Sequence, residues 1–473
     1  MGRRRTGDPG SPDPVGGSQR EIDTDFQGNH DGSTVAASRT PSRIGIRLLV
    51  VACAAAVLPV RSAIAVPGDL DPTFGNDGRV VTDFTRANDG ASDVAIQSNG
   101  KIVAVGRAST RRFYGRFALA RYRPTGRLDR TFGEDGLVTT NFVEREDAAS
   151  AVALQADGRI VVVGGAAQTA RDSSFAVARY TRDGILDASF GDGGMLTTNF
   201  TMRDDSAADV AIHADGRIVV VGTAGRGKFA VARYDSDGTR DITFDGDGTV
   251  MTEVAPGYDS ARAVAIDATG KIVVAGSAGD GTFAVVRYAP DGSLDATFDA
   301  DGIVTTDLTG GFDAANSVAI DPPAKIVVAG EAAFCCEYTA SFGLIRYQPD
   351  GALDVTFGGD GVVITDFTRY GDAASDLAIQ ANGKIVAAGS RKFNGTTSRF
   401  ALARYKPSGR SDRTFGGDGK VSTAFSRGFD SARAVAIQAD GQIVAVGSTY
   451  PDIEGLDGSF ALARYRAGRS APT

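Results

Sequence analysis

Leu70-Asp71-Pro72-Thr73-Phe74-Gly75-Asn76-Asp77-Gly78 decides the fold, because the chain repeats its pattern six more times. The aspartate of this Asp-x-x-Phe core returns as Asp129, Asp187, Asp241, Asp295, Asp354 and Asp412, at steps of 58, 58, 54, 54, 59 and 58 residues. A second mark, Phe117-Ala118-Leu119-Ala120-Arg121-Tyr122 and its variants, recurs in step with it. Its arginines are Arg121, Arg179, Arg233, Arg287, Arg346, Arg404 and Arg464. Two marks held in phase over the chain define a tandem repeat. A repeat overrides the two or three domains that 473 residues would otherwise suggest.

Each period carries four strand signals. In the first, Asp93-Val94-Ala95-Ile96-Gln97 meets an Asn99-Gly100 turn, which reads as a tight hairpin into Lys101-Ile102-Val103-Ala104-Val105. A loop of variable length leads to the Phe117 strand. Turns at Thr125-Gly126 and Phe132-Gly133 then lead to Leu137-Val138-Thr139-Thr140-Asn141-Phe142. The first two strands are apolar almost throughout, as a sheet covered on both faces requires. These signals predict an all-β fold, a seven-bladed β-propeller of four-stranded blades over 66–466. The phase predicts closure. A fourth-strand segment, Arg79-Val80-Val81-Thr82-Asp83-Phe84, precedes the first repeat, and the last repeat stops after its third strand at Tyr465. The N-terminal strand is expected to complete the last blade and so remove an exposed edge.

The net charge of −8 and a pI near 5.0 argue against nucleic acid as a partner, since phosphates demand a basic footprint. No apolar run is long enough for a stable membrane span. Arg43 and Arg47, the apolar run 48–60 and Ala63-Ile64-Ala65 read 42–65 as a signal peptide, with Val66 starting the mature chain. Residues 1–41 read as a disordered or mis-started leader and 467–473 as a disordered tail. The expected location is secreted or cell-surface. Cys335 and Cys336 are either two small loop residues or a strained vicinal disulfide, because adjacent α-carbons sit closer than a disulfide prefers.

Leu70-Asp71-x-x-Phe74-Gly75, the Val94-Ala95-Ile96…Gly100-Lys101-Ile102 hairpin and Phe117-Ala118-Leu119-Ala120-Arg121-Tyr122 closely resemble the delta-60 repeat, a bacterial repeat family. The strand-and-turn pattern is also similar to NHL-type propeller repeats. The resemblance implies an exported, propeller-like module of poorly defined function, and carries over no catalytic residues. The fifth repeat departs from the pattern. Asp321-Pro322-Pro323-Ala324 replaces its Asn-Gly or Asp-Gly turn, so that hairpin is expected to use another geometry.

An aspartate leads into the innermost strand of every repeat: Asp89, Asp147, Asp205, Asp259, Asp313, Asp372 and Asp430. These are expected around the mouth of a central channel. They form either a Ca2+ or other cation site (or a negative collar for a basic ligand), or caps that bond backbone N–H groups or a repeat arginine such as Arg121. A residue present in every repeat favours the cap. The Gly133-Glu134-Asp135-Gly136 type of turn lacks EF-hand ligand spacing and is ordinary turn chemistry. In the variable loops, Arg111, Arg112 and Tyr114, Arg391 and Lys392, and Tyr450 offer basic groups beside aromatics, suited to an anionic polysaccharide or a protein.

Only His30 and His213 exist, so a histidine cluster for metal or acid–base work cannot be built. No Gly-x-Ser-x-Gly elbow or phosphate loop is present. The reading is an exported, monomeric, non-catalytic binding or scaffold propeller without a cofactor, recognising an extracellular protein or polysaccharide. The alternative is a carboxylate- or Ca2+-dependent hydrolase or lyase at the channel mouth. An enzyme would break the repeat with a polar cluster facing the channel, and the repeats read as lacking one.

Overall fold

The computed structural model describes residues 66–109, 114–143, 145–169, 172–334, 339–393, 397–451 and 457–468. Among these every regular element is a β-strand, and no helix is long and apolar enough to cross a membrane. The first strand is β1 (Arg79–Thr82). It is followed by β2 (Gly90–Ile96), β3 (Ile102–Ser109), β4 (Gly115–Tyr122) and β5 (Leu137–Thr140). The strands β2 to β5 pair in order as one antiparallel four-stranded sheet, and four further sheets repeat this topology. An eight-stranded sheet holds the remaining strands. One parallel bridge, Ser398 to Phe429, joins its two halves, and β1 pairs antiparallel with Ser459–Tyr465, Arg79 opposite Ala463.

The alternating Val and Ala of these strands bury both faces. Val103 and Val105 pack towards the second repeat with Phe132, Val162 and Ala176, while Ile102 and Ala104 pack with Val444, Val446 and Leu462 of the last. Each sheet thus shares its core with a neighbour on either side, and the first shares one with the last. The hairpin turns follow the expected chemistry: Gly100 has φ 78°, the left-handed region open to glycine. In the fifth repeat the turn differs as expected. Asp321 pairs with Lys325, Pro322-Pro323 is cis and Ala324 takes the positive φ.

Every innermost strand carries a β-bulge at the same place. Ala91 and Asp93 pair with consecutive residues Gly106 and Val105, so Ser92 is extra. The bulge brings the β2 backbone so close to β3 that a Cβ at Gly106 would collide with the Gly90 carbonyl oxygen. This explains the glycine that ends the apolar run of the second strand in all repeats.

The two sequence marks are one device. Arg121 Nε donates to Asp129 at 2.9 Å, its Nη2 to Thr131 and its Nη1 to the Arg182 carbonyl of the next repeat, with the guanidinium 4.6 Å over the Phe132 ring. Lys101 adds an ion pair of 2.7 Å to Asp129. Burial opposes ionisation, yet Lys101, Thr131 and Arg121 together bring Asp129 down to about 2. The pairing recurs through Arg404 with Asp412, and Arg464 pairs with Asp71 from the other end of the chain. The tyrosine beside each arginine reaches the preceding sheet: Tyr180 donates to Thr140, and Tyr122 to Thr82 on β1.

Candidate functional site

The seven aspartates leading into the innermost strands are buried, at most 1% exposed. Each follows the segment that crosses from the outer strand of one sheet to the inner strand of the next, where backbone N–H groups have no ladder partner. Asp89 accepts from the amides of Phe84, Thr85 and Ser109 and from the Thr85 hydroxyl, all at 2.9–3.0 Å. Asp205, Asp313, Asp372 and Asp430 repeat the pattern with the hydroxyl of a Thr or Ser four residues earlier, and Asp147 and Asp259 use amides alone. Burial raises Asp89, Asp147 and Asp372 despite these donors. Their arginine partners in the cap reading are elsewhere, since Arg121 holds Asp129. Among the described residues no group of His, Cys, Asp or Glu is arranged to hold a metal ion.

The cavity at the centre of the sheets is lined by other residues. It encloses about 860 Å³ and is bordered by Ser92, Ser150, Arg262, Asn316, Ser375 and Arg433, with Arg107, Glu331, Lys392, Phe429 and Tyr450 above them. None of the seven aspartates lines it. The first six are the bulged residues of their strands, which the extra residue turns away from the sheet interface. Here the repeat does break. Serine stands at three of these positions, but arginine at 262 and 433 and asparagine at 316, so the expectation of an unbroken channel-facing pattern is corrected. A strict two-residue alternation would have placed Arg262 with buried Val264. A seven-row comparison of the bulge column was the signal that could have found it.

Arg262 Nη1 donates to Asn316 Oδ1 at 2.5 Å, and Asn316 Nδ2 donates to the Ala374 carbonyl at 2.7 Å, so the asparagine fixes the arginine across two repeats. Burial lowers the Arg262 pKa, with Glu331 and Tyr258 acting to raise it. Arg107 is paired with Glu146 at 2.8 Å. Arg262, Lys392 and Arg433 make no ion pair among the described residues. Unpaired cations around a cavity bordered by hydroxyls and amides can receive a carboxylate or another anion. Directly after the bulged residue on three of the innermost strands lie Asp93, Asp209 and Asp376. Each accepts its own repeat's amide and one from the next sheet, Asp209 from Val210 and Val264. Burial pushes Asp209 up to about 7, and burial together with the Asp209 and Asp376 charges raises Asp93 as well.

Of the variable-loop residues, Lys392 and Tyr450 line the cavity. Arg391 does not. It stacks on Phe393, 4.2 Å from the ring centroid, with Arg399 also over that ring at 4.8 Å. Tyr114 is exposed. Arg111 and Arg112, Cys335 and Cys336, and the leader and signal segments 1–65 lie outside the described residues. His213 is paired with Asp215 at a hairpin turn, and is not among the residues lining the cavity.

The family model described as a domain of unknown function (DUF5122) β-propeller matches residues 97–132, 155–190, 213–244, 268–298, 325–357 and 380–415. No curated protein matches the sequence. Similar solved structures include virginiamycin B lyase from Staphylococcus aureus, 9% identical, covering 81% of this chain and 98% of that one at a TM-score of 0.46. An ulvan lyase is 10% identical over 80% and 95% at 0.46, and a protein of unknown function from Dyadobacter fermentans is 11% identical over 82% and 100% at 0.43. The chain is a tandem-repeat β-propeller protein.

Proposed function

We propose that the chain closes into a ring of seven blades and works outside the cytoplasm as a non-catalytic binding module, taking an anionic extracellular ligand at the mouth of its central channel. Support for the ring comes from both ends. The strand β1 pairs with Ser459–Tyr465, Arg464 with Asp71, and Tyr122 with Thr82. A unit divided between the two termini also accounts for six family matches to seven repeats, since the seventh would begin near Gln438 and finish at Phe74. Support for export is the signal-like stretch 42–65.

The observation that carries the ligand reading is the placement of Arg262 and Arg433, without ion-pair partners among the described residues, at bulge positions where the repeat breaks, with Lys392 also lining the cavity. On a chain of net charge −8, a local group of cations in a polar cavity is a departure that favours anions by charge complementarity. Amide donors hold the carboxylates of the cap ring, with only Asp147 Oδ1 lacking a partner among the described residues, and the residues that break the repeat (Arg262, Asn316 and Arg433) include no carboxylate, so the cation-dependent hydrolase or lyase has little support. The test is calorimetric titration of the chain starting at Val66 with free glucuronate, and separately with calcium after chelator treatment. Glucuronate should bind, and Arg262→Ala should weaken it roughly tenfold, as loss of a charged hydrogen bond does. Calcium heat without glucuronate heat would reverse the assignment in favour of a cation site.

A further inference from the structure

The rim of the central cavity is uneven, and its low side is aromatic. In the two repeats that begin the 54-residue steps, only six residues separate Gly222 from Phe229 and Gly276 from Phe283, against ten between Gly106 and Phe117. The hairpins are correspondingly short: their last paired residues are Ala224 with Lys228, and Ser277 with Phe283. Over these low hairpins lie Tyr258 and Phe312, on the segments that cross to the following sheets. Each ring rests against a loop glycine, Gly227 or Gly281, where a Cβ would crowd it. The residues remain 63% and 61% exposed. Their equivalents immediately before the cap aspartate are Asn88, Glu146 and Asp204 in the first three repeats, Gly371 in the sixth and Phe429 in the last. Tyr258 and Phe312 are thus the exposed aromatics that stand over low hairpins in two adjacent repeats, while Phe429 is half-buried at the cavity itself. Tyr258 is also close enough to act electrostatically on the Arg262 guanidinium.

We infer that Tyr258, Phe312 and Arg262 form one binding run for a carboxylate-bearing polysaccharide, with sugar rings stacked on the two aromatics and a uronate carboxylate turned into the cavity towards Arg262. This rests on the anion-binding reading of the cavity and names its ligand class. Three features carry it. A pyranose presents an apolar C–H face bordered by hydroxyls, which suits a single exposed aromatic ring set among polar groups. Both rings are braced by backbone beneath them, so little freedom remains to be lost when a ligand covers them. A planar carboxylate matches the arginine fork, of which Asn316 occupies one nitrogen. The low rim leaves the cavity open sideways, so a polymer can continue past the residue that enters it.

The experiment is calorimetric titration of the intact chain and of Tyr258→Ala, Phe312→Ala, Tyr258→Phe and Arg262→Ala. The probes are an oligogalacturonate, a malto-oligosaccharide of equal length, free glucuronate and polyglutamate. A melting curve of each variant confirms folding. The oligogalacturonate should bind more tightly than glucuronate, and the neutral oligomer should not bind. Tyr258→Ala and Phe312→Ala should each weaken the oligomer roughly three- to tenfold and leave glucuronate unchanged. Tyr258→Phe should keep the affinity. An oligomer that binds no better than glucuronate, or that ignores both alanine variants, overturns the aromatic run while the cavity reading stands. Silence of both uronates removes the two together. Polyglutamate binding as tightly as the oligogalacturonate and indifferent to Tyr258→Ala would overturn the glycan in favour of an acidic protein.

Discussion

Asp209 stands on the strand Ser206–Ile212, directly after its bulge, with its carboxylate bonded to the amides of Val210 and Val264. Burial pushes its pKa up to about 7, well above the usual 3.8. Between those values the folded chain holds a proton that the unfolded chain has released. This group's contribution to stability is therefore greatest below about pH 4 and is lost as the pH rises through about 7. The loss over the whole window is on the order of 4 kcal/mol. Asp93 and Asp376 shift in the same sense, so the effect of one substitution is partial. The melting temperature of Asp209→Asn, measured from pH 5 to 8, should fall less steeply than that of the parent, and an identical slope would rule out this titration. Asp93 was visible in the sequence only as a strand residue, because nothing local tells that its neighbour across the sheet interface supplies an amide.

At the scale of the repeat, the buried ion pair is the joint that fixes third strand, turn and neighbouring sheet at once. Asp129 is held by Arg121, which is itself buried, and by Lys101, which is partly exposed. Removing Asp129 strands a guanidinium in the interior, so Asp129→Ala should cost roughly 3–5 kcal/mol in urea unfolding. Lys101→Ala removes a more solvent-screened partner and should cost less than about 1 kcal/mol. Equal losses in the two variants would contradict the view that Arg121 dominates the joint. The pairing was legible at the level of residue types: an arginine and an aspartate recurring together predict a buried partner. Which aspartate it takes was not, because each repeat offers two. The one eight residues on lies on the same face as the arginine, whereas the other is folded into the crossing segment.

For the whole molecule, the proposed ring has its weak point where the two ends of the chain meet. The N-terminal segment supplies β1, Asp71 for Arg464 and Thr82 for Tyr122. Deleting 66–83 would leave Ser459–Tyr465 as an exposed sheet edge, a template for pairing with other chains. The truncated protein should elute as aggregates in size exclusion with light scattering and lose its cooperative melt, whereas a monomer with the parent's melt would refute closure at this seam. The sequence by itself determined the repeat, its four strands, the turns and the crossover aspartates, because each depends on chemistry that recurs at short, fixed spacing. Only the tertiary structure decided that Arg262, Asn316 and Arg433 face one cavity while the aspartates do not. A bulge inserts one residue into a two-residue alternation and reverses which side chain points inward. The contacts that make a site of those residues join repeats that are far apart in the chain.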